Sequence, residues 1–196
     1  FSMAEMAQAF DVTRVNPNPA RFDLAKCEAI DGTWIRLLDG DDLAERLVRF
    51  MVGDGSLSAT DAAAADVVRA AAPLVQERVA TLGEASAMLR FLVVSESECD
   101  VDPAAVSGLK QNAADVLAGT REVLHEVETW DAATIEAALR ARLVDDMGVK
   151  PRLAFGPARV GVTGRRVSPP LFESMELLGR DRTLARLESL ASLVSP

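Results

Sequence analysis

The sequence is poor in the side chains that most often carry chemistry. Its 196 residues include no tyrosine, one histidine and two cysteines. Cys27 and Cys99 are far apart and follow no metal-ligand spacing, and His125 has no partner cysteine or serine beside it. We therefore expect no metal site, no disulfide framework and no catalytic residue in this chain.

Long apolar runs and an export signal are also absent. No stretch reaches the roughly 18 apolar residues that a membrane-spanning helix requires. The first ten residues have neither a basic start nor a small-residue cleavage site. These two absences lead us to expect a cytoplasmic protein that does not enter a membrane.

The composition favours helices. Aromatic residues make up 5% of the chain against 49% hydrophobic residues, so the core must be mostly aliphatic. Apolar residues recur at helical rather than alternating spacing, which predicts an all-α fold with at most one short extended segment. The acidic, aperiodic stretch SESECDVDP (95–103) is the candidate boundary between two small helical bundle subdomains, residues 1–97 and residues 98–196.

The net charge of −9 is unevenly distributed. Residues 150–186 contain eight basic and three acidic residues, a net charge of +5, and the rest of the chain contains 13 basic and 27 acidic residues, a net charge of −14. An acidic body with a basic end would repel a polyanion everywhere except at one patch. The alternative is a chance excess of arginine on solvated helix faces.

The stretch RVGVTGRRVSPPLFESMELL (159–178) combines several local signals. Alternation of valine with small residues predicts a short extended segment over 160–163, and Gly164 can supply a positive φ for a turn. Arg165 and Arg166 would then lie exposed just beyond that turn.

A helix is predicted directly after these arginines. Ser168 is a suitable N-cap, Pro169 suits the first helical position, and apolar residues recur at helical spacing until Gly179. Two arginines ahead of the positive end of a helix form a ready site for a phosphate or a base edge. The alternative is a capped surface helix that binds nothing.

The alanine-rich helical run that begins at Thr60 contains a proline. Pro73 should kink or split this helix because it removes one backbone donor. The break would expose a new helix start, on which Gln76 and Arg78 occupy neighbouring turns and can face a groove. An ordinary solvated helix face is the alternative.

Two further predictions concern the N-terminal part of the chain. VNPNPARF (15–22) holds two prolines and should be an extended connector that sets a fixed angle. The next helix, capped by Asp23, should place Leu24, Cys27, Ile30 and Trp34 on its inner face. A stacking role for Trp34 is the alternative.

Three stretches resemble the C-terminal part of bacterial glutamyl-tRNA synthetases. VTGRRVSPPLFESMELLGRDRTLARLE (162–188) is similar to the TGR, SPPLFE, MELLG and RTLARLE pattern of that family. APLVQERVATLGE (72–84) resembles its PLVQER run, and NPARFDLAKCEAIDGTWIR (18–36) resembles its PARFDL segment. The HIGH and KMSKS signatures of the catalytic domain are absent. The resemblance therefore implies a tRNA-binding portion without an active site, and the ATP and Mg of the parent enzyme would bind elsewhere.

The resemblance also implies roles for particular residues. In the family the SPPL position lies at the anticodon bases, which makes Ser168, Pro169 and Leu171 the first candidates for base contacts, with proline and leucine giving the bases an apolar face. Gln76 occupies the position associated with the third anticodon base, with Arg78 on the same stretch. The candidates for phosphate contacts, on charge alone, are Arg165, Arg166 and Arg180.

Gln76 bears on which tRNA is accepted. Glutamate and glutamine anticodons differ at the third base, cytosine against guanine. An arginine offers only donors, whereas a glutamine offers an acceptor and a donor group. In the family, arginine at this position goes with rejection of the glutamine tRNA and glutamine with its acceptance, so the resemblance implies a non-discriminating enzyme. Its partners would be the tRNA for glutamate and, as a second candidate, the tRNA for glutamine, bound by a monomer.

Two other classes of function are the alternatives. A helical protein-interaction module would need repeats or a broad exposed apolar patch, and the sequence indicates neither. A free-standing enzyme would need a nucleophile with its base, a carboxylate pair or a metal set, and none can be named. No cofactor is expected in this chain because no glycine-rich phosphate loop is present.

Overall fold

The computed structural model describes residues 1–15 and 23–194, apart from the side chains of residues 97 and 152, and all regular secondary structure among these residues is helical. The predicted connector at 15–22 falls almost entirely outside them. The described residues contain no strand, which confirms the all-α prediction. The α-helices are α1 (Met3–Ala9), α2 (Leu24–Leu37), α3 (Gly40–Gly53), α4 (Ala62–Val75), α5 (Leu82–Val93), α6 (Pro103–Ser107), α7 (Ala113–Glu126), α8 (Ala132–Leu139), α9 (Pro151–Ala154), α10 (Gly156–Thr163), α11 (Leu171–Leu178) and α12 (Arg180–Val194).

Helix starts are set locally by capping side chains. Ser2 and Glu5 form a complete capping box at α1. Aspartate caps α2, α4 and α8 by accepting a hydrogen bond from the third residue of the helix. The predicted cap at Asp23 is confirmed, because its side chain accepts from the backbone N–H of Lys26, and Thr81 caps α5 by accepting from the backbone N–H of Glu84.

The buried residues form one connected aliphatic core. Helices α3, α4 and α5 pack together in the first half, and α12 packs against α7 and α10 in the second. Helix α11 contacts α4 and α5, so the two halves meet along it. The division at residue 97 stays a prediction.

A cluster of two arginines and one glutamate, which we call the arginine junction (Glu96, Arg182, Arg186), also links the halves. Arg186 is 5% exposed and donates to the backbone oxygens of Phe91 and Val162 as well as to Glu96. Arg182 donates to Glu96 and to two backbone oxygens at the end of α5. Carbonyls at a helix C-terminus lack partners within the helix and carry partial negative charge, so guanidinium groups satisfy them well.

The predicted extended segment at 160–163 is wrong, because these residues belong to α10. This helix contacts α7, α9, α11 and α12, so its apolar residues are buried on several sides. A short apolar run buried in this way cannot be distinguished from a strand by its periodicity. Gly161 permits the close packing, since a Cβ there would lie 2.9 Å from Leu187 Cδ2.

The turn after α10 follows the prediction. Gly164 has φ +71°, and a Cβ at this position would lie 2.4 Å from the backbone oxygen of Asp100. The backbone oxygen of Gly164 accepts from the N–H of Asp102 at 2.9 Å. The turn is thereby docked on the 95–103 stretch, and only glycine fits there.

Ser168 and Pro169 do not begin a helix, which corrects the predicted cap. Helix α11 starts at Leu171, with Pro170 as its N-cap residue and no side-chain cap. A residue that precedes proline is disfavoured in the helical region. Because Pro169 and Pro170 follow Ser168 in succession, the helix starts only after the second proline. The predicted end at Gly179 is confirmed.

Pro73 does not split its helix, because α4 continues through Val75. Burial of Val68, Ala72 and Val75 against neighbouring helices holds the helix together despite the missing donor. Residues 76–78 therefore form the turn at the C-terminal end of α4 rather than a new helix start.

The predicted inner face of α2 is also wrong. Leu24, Ile30 and Trp34 are exposed, and the buried residues are Gly32 and Ile35. Cys27 is half-buried. Tertiary contacts fall on the other side of the helix from the one that apolar spacing indicates. Among the described residues, no helix is long and apolar enough to cross a membrane.

Candidate nucleic-acid interface

Two predicted base-contact segments lie on helices that pack against each other. The turn with Gln76 and Arg78 ends α4, and residues 168–171 precede and begin α11, which contacts α4. Arg159, on α10, contacts the second of these segments. Its guanidinium donates to Ser168 Oγ at 2.5 Å and to the backbone oxygen of Pro169 at 2.9 Å.

Arg159 is the residue of this site that the sequence reasoning missed. Burial lowers the pKa of its guanidinium, and the positive charge of Arg78 lowers it further. The two arginines are therefore close enough to interact, and no carboxylate forms a salt bridge with either among the described residues. Two neighbouring positive charges without a counterion favour the binding of an anion. The available signal was the position of Arg159 nine residues before Ser168, across a predicted turn.

The SPPL segment is held inward. Ser168 is buried and its hydroxyl donates to the backbone oxygen of Pro169, while Leu171 is only 3% exposed. A base could reach the Leu171 side chain only after local rearrangement. Val167, which directly precedes this segment, is an exposed apolar side chain, at 77%, and the sequence predicted no role for it.

Gln76 has one end of its side chain engaged by the fold. Its Nε2 donates to the backbone oxygens of Ile35 at 3.0 Å and Leu38 at 2.9 Å, at the C-terminal end of α2. Two carbonyl acceptors fix the amide orientation, because only the NH₂ group can donate to both. No donor bonds to Oε1 in the described part of the chain, so one acceptor of Gln76 remains available.

The three predicted phosphate contacts differ in their surroundings. Arg165 donates to the backbone oxygen of Asp100 and to its carboxylate. Arg180 donates to the backbone oxygen of Val127 and lies 5.1 Å above the Trp130 ring. Arg166 is exposed and forms no side-chain hydrogen bond or salt bridge within the described ranges. The fold thus engages two of these arginines and leaves Arg166 free.

Known proteins are similar to this chain over nearly its whole length. A family model described as an anticodon binding domain matches residues 42–191. Curated relatives named glutamate–tRNA ligase include those of Clavibacter sepedonicus, 50% identical over 99% of this chain, and of Nocardioides sp., 52% identical over 96%. The chain spans 39% of the length of each of these relatives.

A solved structure shares the fold. The crystal structure of a glutamate tRNA ligase from Elizabethkingia meningosepticum in complex with its amino acid superposes with a TM-score of 0.76 at 17% identity, covering 100% of this chain and 37% of that one. At this identity the likeness concerns the fold alone. The family model, by contrast, covers most of the sequence, and the chain therefore belongs to the family of anticodon binding domains.

Proposed function

We propose that this chain is the tRNA-recognition part of a glutamate–tRNA ligase, with tRNA for glutamate as its partner. The observation that carries the proposal is the identity of about half of all residues with curated glutamate–tRNA ligases over nearly the whole chain. The unpaired arginines beside the SPPL segment support it. Glutamate activation with ATP and Mg would belong to the part of such ligases that this chain does not span. The proposal includes a monomer acting in the cytoplasm, where tRNA is charged.

The base-reading part, in this proposal, consists of the 76–78 turn, Arg159 and residues 167–171. Arg78 would face the anticodon from the turn after α4 and Arg159 from α10, and backbone groups near Ser168 would contact base edges. Leu171 would act chiefly by supporting this segment from below, because its side chain is buried.

We propose further that the ligase accepts both the glutamate and the glutamine tRNA. With Nε2 held by two carbonyls, Gln76 presents Oε1 as a fixed acceptor. Cytosine can donate to it through its exocyclic amino group and guanine through its N–H groups, so neither base is left unpaired. An arginine at this position would present only donors and would favour cytosine.

The test is filter binding of tRNA for glutamate to the 196-residue chain over a range of salt. We expect binding without aminoacylation, and an affinity that falls by roughly 0.7 to 0.9 log units per phosphate contact for each tenfold rise in salt. Absent or salt-independent binding would overturn the proposal. Weak binding would not, because contacts to the rest of the tRNA are missing.

A further inference from the structure

An open groove of about 780 Å³ lies beside the base-reading part. One wall is the segment from Gly108 to Asn112, between α6 and α7, and the other is the segment from Lys150 to Val160, in α9 and α10. Arg166 reaches one end of it from the turn after α10. We call this feature the basic groove (Lys110, Lys150, Arg159, Arg166).

The charges along this groove have one sign. Four of its lining residues are cationic and none is acidic, in a chain whose net charge is −9. Lys110, Lys150 and Arg166 are exposed, and their side chains form no salt bridge or hydrogen bond within residues 1–15 and 23–194. The guanidinium of Arg159 is bonded only to neutral oxygens, so its charge is not neutralised. Cations gathered in one cleft attract an anion more strongly than the same charges dispersed.

The groove is larger than the site that a single small ion needs. A volume of about 780 Å³ lies within the ~300–1,000 Å³ that accommodates a drug-sized ligand. Leu153 and Phe155 add apolar surface between the cations, which suits the sugar or base faces of a nucleic acid.

The groove is continuous with the SPPL segment. Arg159 lines the groove and also bonds to Ser168 and Pro169. A single RNA strand whose bases face residues 167–171 could therefore place its backbone along the groove. An anion unrelated to RNA would not need to contact the groove and the SPPL segment at the same time.

We propose that the basic groove binds the phosphodiester backbone of the RNA whose bases are read beside it, with Lys110, Lys150 and Arg166 as the phosphate contacts. This inference rests on the proposed function. It replaces Arg165 and Arg180 as phosphate contacts, since the fold already engages both. Phosphate contacts position a nucleic acid without reading its sequence, so the groove should act equally on every anticodon.

The experiment compares a double variant, Lys110→Gln with Lys150→Gln, with the wild-type chain. The matched control is Lys26→Gln, because Lys26 is the one other lysine of the sequence, is exposed on α2 and does not line the groove. Filter binding with an anticodon stem-loop RNA, in glutamate and unrelated-anticodon versions, is measured from about 0.05 to 0.3 M salt, where the Debye length is on the order of 10 Å.

Two lost contacts should reduce the affinity by roughly 25- to 60-fold at about 0.1 M salt and lower the salt slope by about 1.4 to 1.8. The factor should be the same for both anticodons, and Lys26→Gln should behave like the wild type. An unchanged affinity and slope in the double variant, with the wild type binding normally, would overturn the groove proposal alone. A wild-type chain that binds no RNA would overturn both proposals.

Polyglutamate distinguishes the remaining possibility, an acidic protein segment. If it binds through Lys110 and Lys150 while RNA binding ignores both lysines, the groove serves an acidic protein and the RNA proposal is overturned. Equal weakening by Lys26→Gln would show a diffuse charge effect and would also overturn it.

Discussion

The arginine junction and the basic groove draw on the same basic stretch of sequence, yet their cations have opposite surroundings. In the junction, Arg186 donates to two backbone oxygens and to Glu96. In the groove, Lys150 and Arg166 have no such partner within the described ranges. A guanidinium whose donors are consumed by the fold cannot also hold a phosphate without breaking that fold. Hydrogen-bond saturation, rather than charge, separates the cations of the junction from those that we propose to bind phosphate.

The strongest test of this difference is removal of the buried cation of the junction. Arg186→Met keeps much of the apolar stem but leaves the backbone oxygens of Phe91 and Val162 without this donor and Glu96 with Arg182 alone. We expect a loss of about 3 kcal/mol in the free energy of unfolding, at the low end of the ~3–5 kcal/mol for breaking a buried pair, because Glu96 is partly exposed.

Urea denaturation measures this loss, and Lys150→Met is the matched control, with an expected change within ~0.5 kcal/mol. If the two substitutions had similar effects on stability, the distinction between the junction and the groove would collapse.

Gln76 sharpens the comparison, because one end of its side chain serves the fold and the other is free. In a full-length ligase, Gln76→Arg should reduce charging of the glutamine tRNA roughly ten- to a hundredfold, the effect of about 1 to 3 kcal/mol from donors facing donors. Charging of the glutamate tRNA should be largely retained.

The control is Gln76→Met, which removes the bonds to Ile35 and Leu38 without adding donors. It should weaken both tRNAs alike. Equal loss on both tRNAs for Gln76→Arg would show that Gln76 only anchors the end of α2.

Arg165 and Arg166 are neighbours with different surroundings, which makes them a matched pair. Arg166→Gln should weaken binding of any tRNA about five- to eightfold at ~0.1 M salt, the effect of one phosphate contact, without changing stability. Arg165→Gln should instead lower stability by up to about 1 kcal/mol, because its pair with Asp100 is half exposed. Binding and thermal unfolding of both variants are measured together. A larger binding loss for Arg165→Gln would reverse the assignment.

The smallest expected effect is a pH dependence of the junction. Burial raises the pKa of Glu96, but hydrogen bonds from Arg186 and Arg182 outweigh it and hold the pKa below its ordinary value of 4.5. Since the folded pKa is depressed, the pair contributes stability above pH 4.5 that is lost as the pH falls through the folded pKa. Urea midpoints between pH 7 and 3 should show a smaller acid-induced decline for Glu96→Gln than for the wild type. An identical decline would contradict the assignment.

The site was partly accessible from the sequence. The family resemblance predicted base contacts at the SPPL segment and Gln76, which stay predictions, and local chemistry predicted the turn at Gly164. Local pattern could not show that Leu171 is buried, because its helical spacing fits an inward or an outward face equally well. Arg159 escaped notice because its partners, Ser168 and Pro169, are brought to it by a turn whose path depends on α10 being helical.

The helix cap at Asp23, the glycine turn at 164 and the all-α class were determined by the sequence itself, because these signals act between residues close in sequence. Only the tertiary structure determined which cations form hydrogen bonds within the fold and which remain exposed. Arg186 donates to the backbone oxygen of Phe91, 95 positions away in sequence. Lys110 and Lys150 line one groove although α7 and α8 separate them in sequence. Whether an arginine finds a carbonyl or remains free for a phosphate depends on how distant helices pack, which periodicity and charge counts do not contain.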